Sequence, residues 1–274
     1  MIKRTIPCIL LLAAFSSFAW AESREIDRKY LPTVLSDALL KYAHLEVASE
    51  TNVVVVTNGS ERCLGLRISP GQAKIHEGMR AEMSVNYPFN LGETVHYAWR
   101  FMLPKDFICD APLNRWWLIG QWHDQPNEKR GESWNSFPSH SPPVALEIEE
   151  LNGRLGVNLA YGPNDANQHQ RHFGPIFLER GKWYSIVVSI HWSRGADGKV
   201  AVFLDGNPDA ALTGEGPNMN NDFQHYLKLG MYRHPDIRTD NWIFIDRIEI
   251  SKSATRQTSA GLGDAPEGGQ RSPR

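Results

Sequence analysis

Three short stretches of this 274-residue chain place reactive side chains at alternate positions. Gln121 and His123 flank Trp122. Arg80, Glu82 and Ser84 alternate with Met79, Ala81, Met83 and Val85. Lys228, Gly230 and Tyr232 alternate with Leu229 and Met231. Side chains of an extended strand alternate between its faces with period two, so each stretch offers a polar face and an apolar one. A neutral imidazole takes up a proton near neutral pH. A phenol, with an ordinary pKa of about 10, gives one. A guanidinium and an amide suit a carboxylate, the first as a bidentate cation and the second as a donor facing developing negative charge. On one surface, Arg80, Gln121, His123, Lys228 and Tyr232 are the residue types needed to bind a carboxylate and move protons. Surface strands also alternate polar and apolar residues, so the weight lies on the residue types. Straight alternation puts Trp117 and Ile119 on the Gln121 and His123 side, and Trp117 is expected to contact the same ligand.

Strands must carry these groups. The expected strands are Asn52–Thr57, Cys63–Ile68, Met79–Val85, Val95–Met102, Trp116–His123, Val144–Glu149, Leu155–Leu159, Trp183–Trp192, Val200–Leu204, Tyr226–Tyr232 and Trp242–Ser251. Turn residues separate them at Asn58-Gly59, Pro70-Gly71, Asn152-Gly153, Asp197-Gly198 and Asp205-Gly206. Leu31 to Leu45 holds a short helix at most. Many β-runs without alternating helices imply an all-β sandwich or barrel, and the apolar faces call for a second sheet. Two loops are long: Asp124 to Pro143, with Lys129, Arg130, Trp134 and His140, and Tyr161 to Pro175, with Asn164, Asn167, His169, Arg171 and His172. Long connections in compact domains are binding loops or lids, or else solvated linkers.

The N-terminus reads as an export signal. Lys3 and Arg4 precede a short apolar core from Ile6 to Phe18 and an Ala19-Trp20-Ala21 cleavage site. Residues 1–21 are therefore expected to be removed and the protein to be periplasmic or secreted. The apolar core is too short to span a membrane. Residues 22–253 form one expected domain, with no composition shift inside it, and the chain is expected to be a monomer. The Gly-, Ser-, Thr- and Pro-rich segment 254–274 is an expected disordered tail. Losing Lys3 and Arg4 takes the formal charge from -2 to about -4, the wrong sign for general nucleic-acid binding. Of nine tryptophans, most are assigned to the core. Removing the leader leaves Cys63 and Cys109, and an oxidising compartment leads one to expect a disulfide between them.

The same residues carry a resemblance. Arg80-Ala-Glu-Met, Gln121-Trp-His123 and Lys228-Leu-Gly-Met-Tyr232-Arg resemble the three signature strands of the jelly-roll polysaccharide lyases, among them the alginate, glucuronan and heparin lyases. The stretch from Trp183 through Asp205-Gly206 to Asp246 is similar to the heparin-lyase-like branch. Alginate lyases commonly have Arg-Ser-Glu-Leu and Gln-Ile-His or Gln-Val-His, from which Ala81 and Trp122 depart. The resemblance implies a concanavalin-like jelly-roll of two antiparallel sheets, with a substrate groove on the concave sheet and an anionic polysaccharide as partner. It implies β-elimination at a uronate, with no metal or cofactor. Arg80 and Gln121 would neutralise the carboxylate, His123 would take the C5 proton and Tyr232 would protonate O4; in a syn variant Tyr232 would do both. Glu82 would orient Arg80. Lys228, Arg233, Arg130, Arg171 and Trp117 are further candidates for substrate contact. Two other readings stay open. One is a glycoside hydrolase using Glu147 and Glu149, although Asn152 stands where a third acid would be. The other is a non-catalytic, lectin-like binding domain.

Overall fold

The computed structural model describes residues 24–58, 61–164 and 169–253. The expected leader, the expected tail, Gly59 and Asn167 lie outside them. Among the described residues the strands are β1 (Ala43–Glu46), β2 (Val53–Asn58), β3 (Glu61–Ile68), β4 (Met79–Val85), β5 (Thr94–Met102), β6 (Trp117–His123), β7 (Val144–Leu151), β8 (Arg154–Tyr161), β9 (Arg171–Leu178), β10 (Trp183–His191), β11 (Lys199–Leu204), β12 (Leu212–Glu215), β13 (Tyr226–Arg233) and β14 (Asn241–Lys252). They form two seven-stranded antiparallel sheets, β1-β4-β13-β6-β7-β8-β9 and β12-β11-β10-β5-β14-β3-β2. The expected jelly-roll sandwich is what forms.

The three polar-faced stretches become neighbours. β13 lies between β4 and β6, with Lys228 opposite both Ser84 and Gln121, Tyr232 opposite Arg80, and Tyr226 opposite His123. Their apolar alternates fill the space between the sheets. Met79, Ala81, Met83, Val85, Leu229 and Met231 are all buried there. Trp122 is fully buried, 5.2 Å from the Tyr97 ring and 6.3 Å from the Trp99 ring, both on β5 of the opposite sheet. Burial of such aromatic surface is the main force holding one sheet on the other. Gly230 makes the close pairing of β13 with β4 possible. Its φ is +144°, and a Cβ there would lie 2.4 Å from the Ala81 carbonyl oxygen, a position only glycine tolerates.

β6 departs from straight alternation. Its pairing with β7 shifts register between Leu118 and Gly120, so a β-bulge sends both Ile119 and Gly120 toward the core. Gln121 and His123 keep the outer face, but Trp117 is turned inward. It is 1 % exposed and packs edge-on against Phe107 at 5.1 Å. Trp117 therefore contacts no ligand; Leu118 takes the outer position, packed with Ala145, Ala160 and Tyr232.

Three strands were not expected. β1 follows a 3-10 turn at Leu31–Thr33 and a short helix at Asp37–Leu40, and with four residues it is too short to show a period. β9 carries Gly174 and Pro175, which an edge strand tolerates, and it absorbs the end of the expected loop from Tyr161. β12 is a four-residue edge. The expected disulfide is absent: Cys63 and Cys109 are free, buried thiols. Cys63 sits in β3 near Arg100 and Asp246, and Cys109 in the β5–β6 connection near Asp110, Glu150 and Arg180. Each fills its own pocket as a small apolar residue.

Candidate active site

The outer face of β4, β13 and β6 holds a chain of buried charges. Arg80 Nη1 donates to Glu46 Oε2 and Glu82 Oε2, both at 3.3 Å. Gln121 Nε2 donates to Glu82 Oε1 at 2.6 Å. Lys228 Nζ donates to Glu46 Oε2 at 2.8 Å, and Ser84 Oγ donates to Glu46 Oε1. All six side chains are buried. Burial alone would raise the Glu46 carboxyl; hydrogen bonds from His44 and His76 and the charge of Lys228 outweigh it and hold the group far below the carboxylate range. Glu82 behaves oppositely. Burial pushes it up, and the charges of Lys228 and Arg80 offset this only in part. Glu82 accepts from both Arg80 and Gln121, so it positions them relative to each other. Glu46 was not foreseen, because β1 gave no pattern to place it.

His123 stands at one end of this row, with 23 % of its side chain exposed. Its Nδ1 lies 3.0 Å from the Asp124 carbonyl oxygen and 2.9 Å from Asp124 Oδ1. That fixes the proton on Nδ1 and leaves Nε2 for a ligand. Asp124 is wholly buried and also holds His140 Nδ1 at 2.5 Å. Burial would raise its carboxyl, yet the hydrogen bond and charge of His123, with His140 adding, bring it down to about 2. His225 beside them is brought down to about 4 by burial. Its Nδ1–H donates to the Phe223 carbonyl and its Nε2 accepts from the Asn220 N–H, so it is a neutral structural residue. Asp124 directly follows His123 in sequence; the signal was present, but only burial gives it meaning.

Tyr232 stands at the other end. The Arg80 guanidinium lies 4.3 Å from its ring centre and Trp116 packs at 4.6 Å. Gly78 makes room, since a Cβ there would meet Tyr232 at 2.5 Å and Arg80 at 2.8 Å. Contacts therefore run unbroken from Tyr232 through Arg80 and Glu82 to Gln121. Tyr232 lies six residues along β13 from Tyr226, the residue opposite His123, so it is on the order of 20 Å from that pair along an extended strand. The phenol nearest His123 is that of Tyr226, with ring centres 6.1 Å apart. Burial, with the charges of Glu46 and Glu82, raises its pKa. Tyr226 was missed although it shares the period-two face of Lys228 and Tyr232.

Of the three arginines expected to meet substrate, Arg233 is turned into the core, while Arg171 and Arg130 are exposed and partnered by protein groups. Arg233 neighbours Tyr232 and so faces inward. It is fully buried, donates to Asn241 Oδ1, and is brought down to about 10 by desolvation. Arg171 faces the Tyr161 side of β9 and donates to the Glu215 carbonyl, tying the edge of one sheet to the other. Arg130 Nη1 donates to both carboxylate oxygens of Asp222, at 2.9 and 2.7 Å, an exposed tie on the β6–β7 loop. Glu147, of the hydrolase reading, pairs with His172 at 3.0 Å, and burial raises its carboxyl.

The fold is a two-sheet jelly-roll that carries a buried row of charges and a histidine held beside a carboxylate on one face. The polysaccharide lyase family model matches residues 39–249, which contain every group described here, and the chain belongs to that family: it is a polysaccharide lyase. The fold is shared with solved lyases. The endo-β-1,4-glucuronan lyase of the fungus Trichoderma reesei aligns with TM-score 0.54 at 16% identity, over 72% of this chain and 85% of that one. The alginate lyase of Klebsiella pneumoniae aligns with TM-score 0.52 at 13% identity, over 74% and 85%. The marine alginate lyase of Aplysia kurodai aligns with TM-score 0.51 at 14% identity, over 74% and 88%. No curated protein matches the chain in sequence.

Proposed function

We propose that this face cleaves a uronate-containing polysaccharide, glucuronan- or heparin-like, by β-elimination, outside the cytoplasm. The observation that carries the proposal is the tethered His123 next to Gln121, in a row with Arg80. Arg80 and Gln121 take the substrate carboxylate and make the neighbouring C5 proton removable. His123 Nε2 accepts that proton. The electron pair forms the C4–C5 double bond, the C4–O4 bond breaks, and a phenol protonates O4. With Tyr232 on the order of 20 Å along β13 from His123, the two do not serve one uronate. Tyr232 acts beside Arg80 in a syn elimination, taking the C5 proton and then protonating O4, whereas with His123 as base the acid is a phenol next to it. One distance favours a second assignment of the acid: Tyr226 is the phenol beside His123, and its raised pKa keeps it protonated.

Ala81 and Trp122, where the chain departs from the alginate-lyase pattern, are both fully buried in the core. That departure describes packing between the sheets. The preference for glucuronan or heparin rests on the resemblance of the later strands, and a substrate panel tests it. Glucuronan, alginate, heparin and hyaluronan are each followed by the ultraviolet absorbance of the new double bond. On the cognate polymer, Tyr232→Phe should lose about 10²–10⁴-fold in turnover while still binding. If Tyr232→Phe cleaves at wild-type rate and Tyr226→Phe does not, the acid is Tyr226. If neither loses activity, neither phenol is the acid, and Glu147 and Glu149 on the neighbouring strand of the same face are next.

A further inference from the structure

The β6–β7 loop, Asp124 to Pro143, is held from several sides. His140 is tied to Asp124 and Arg130 to Asp222. Asn221 Nδ2 donates to the Gln125 carbonyl at 2.9 Å, Asn220 Nδ2 to the Ser141 carbonyl at 3.1 Å, and Gln170 Nε2 to the Pro142 carbonyl at 2.7 Å. On this pinned loop sits Trp134, 55% exposed. It stands edge-on to Tyr226 at 6.4 Å and to Phe137 at 5.7 Å. A large apolar ring held in water by a fixed loop, beside the tethered imidazole, is unused by the elimination chemistry. The other end of β13 repeats the arrangement, with Trp116, 39% exposed, packed on Tyr232.

We propose that Trp134 and Trp116 are the outer sugar platforms of the groove, each stacking a pyranose ring of the acidic polymer on either side of the charged row. The proposal rests on the lyase reading of that row and adds its length. Tyr226 and Tyr232 are six residues apart, roughly 20 Å along the strand, which spans about four pyranose rings. An indole face offers apolar area against the C–H face of a sugar whatever the sugar's charge. The carboxylates are then read only in the middle, at Arg80 and Gln121. Both indoles are in place before the ligand arrives, so stacking costs little ordering entropy.

The test is a chain-length series of uronate oligosaccharides, two to six units, for the wild type, Trp134→Ala, Trp116→Ala and the conservative Trp134→Phe. Cleavage is read as kcat and KM and binding by titration calorimetry. Wild-type kcat/KM should climb to about four units and then level. Each alanine variant should raise the calorimetric Kd, and with it KM, about tenfold on the longer oligomers and flatten the length dependence of binding; Trp134→Phe should recover part of the loss. Unchanged KM and Kd in both alanine variants overturns the platforms while leaving the lyase reading in place. If the wild type cleaves none of the series, the uronate reading falls and the calorimetric length dependence still decides the platforms. Absence of binding as well as cleavage overturns both.

Discussion

Asp124→Asn separates the tether of His123 from the histidine itself. The carboxyl lies fully buried and is moved from its ordinary 3.8 to about 2, which favours its charged form in the folded protein by about 2.4 kcal/mol. The sign is that of a depressed acid. The stabilisation is present above pH 3.8 and is lost as pH falls through about 2. Asparagine keeps the shape and one acceptor oxygen but carries no charge. At pH 5 the variant should therefore be less stable by about 2 kcal/mol, a fall in Tm of roughly 4–8 °C for a domain of this size, and its stability should vary less between pH 4 and pH 2. Urea unfolding followed by tryptophan fluorescence at several pH values measures this. Turnover should fall by about 10²-fold, because the carboxylate beside Nδ1 no longer offsets the positive charge that His123 gains in taking the proton, while the backbone carbonyl of residue 124 still accepts from Nδ1 and keeps the tautomer. The nitrogen chemical shifts of His123 should change with the loss of the neighbouring charge. A variant with wild-type stability at pH 5, wild-type turnover and an unchanged His123 spectrum would refute the tether.

Glu46→Gln leaves Arg80 and Lys228 buried without their shared anion, and should cost about 3–5 kcal/mol in denaturant unfolding; a change under about 1 kcal/mol would show the network to be solvated. Gly78→Ala pushes a methyl group into Tyr232 and Arg80, so cleavage should drop at least tenfold while the unfolding midpoint hardly moves. Gly230→Ala meets backbone instead and should destabilise by about 2 kcal/mol or more, visible in Tm. Burial pushes the Cys109 thiol up to about 11 and raises Cys63 too, so neither should react readily with a thiol reagent at pH 8 in the native protein. Both should react once it is unfolded, and a mature chain without thiols would restore the disulfide.

The face assignment was legible where period two ran undisturbed. In β4 every inward position is apolar, and in β13 Leu227, Leu229 and Met231 are, so the core selects that parity by burial. The same logic already placed Arg233 on the inner face, since it neighbours Tyr232; its charge suggested substrate where its parity gave packing. Trp117 is a different case. The bulge at Leu118 to Gly120 adds one residue, and nothing in Leu-Ile-Gly marks it except the glycine. Arg171 could not be placed without β9, whose Gly174 and Pro175 hide a strand at the sheet edge. Glu46 lay deepest of all, on a four-residue strand that exists only because β4 offers it a partner.

That last residue explains why the charged row sits below the surface. A cation meant to neutralise a substrate carboxylate must be aimed, and a free lysine or arginine on a strand is not. Glu46 aims Arg80 and Lys228 together, and Glu82 holds Arg80 to Gln121. The environments of the two glutamates differ: hydrogen bonds from His44 and His76 and the charge of Lys228 hold Glu46 well down, while burial raises Glu82. Arg80 and Lys228 are thereby held in place without an exposed, mobile side chain. Desolvation of such a cluster is expensive, and the aromatic and aliphatic packing of β4, β13 and β6 against β5 offsets it. The same alternation that buries Met83, Leu229 and Trp122 on one face thus holds Arg80, Lys228 and Gln121 in position on the other.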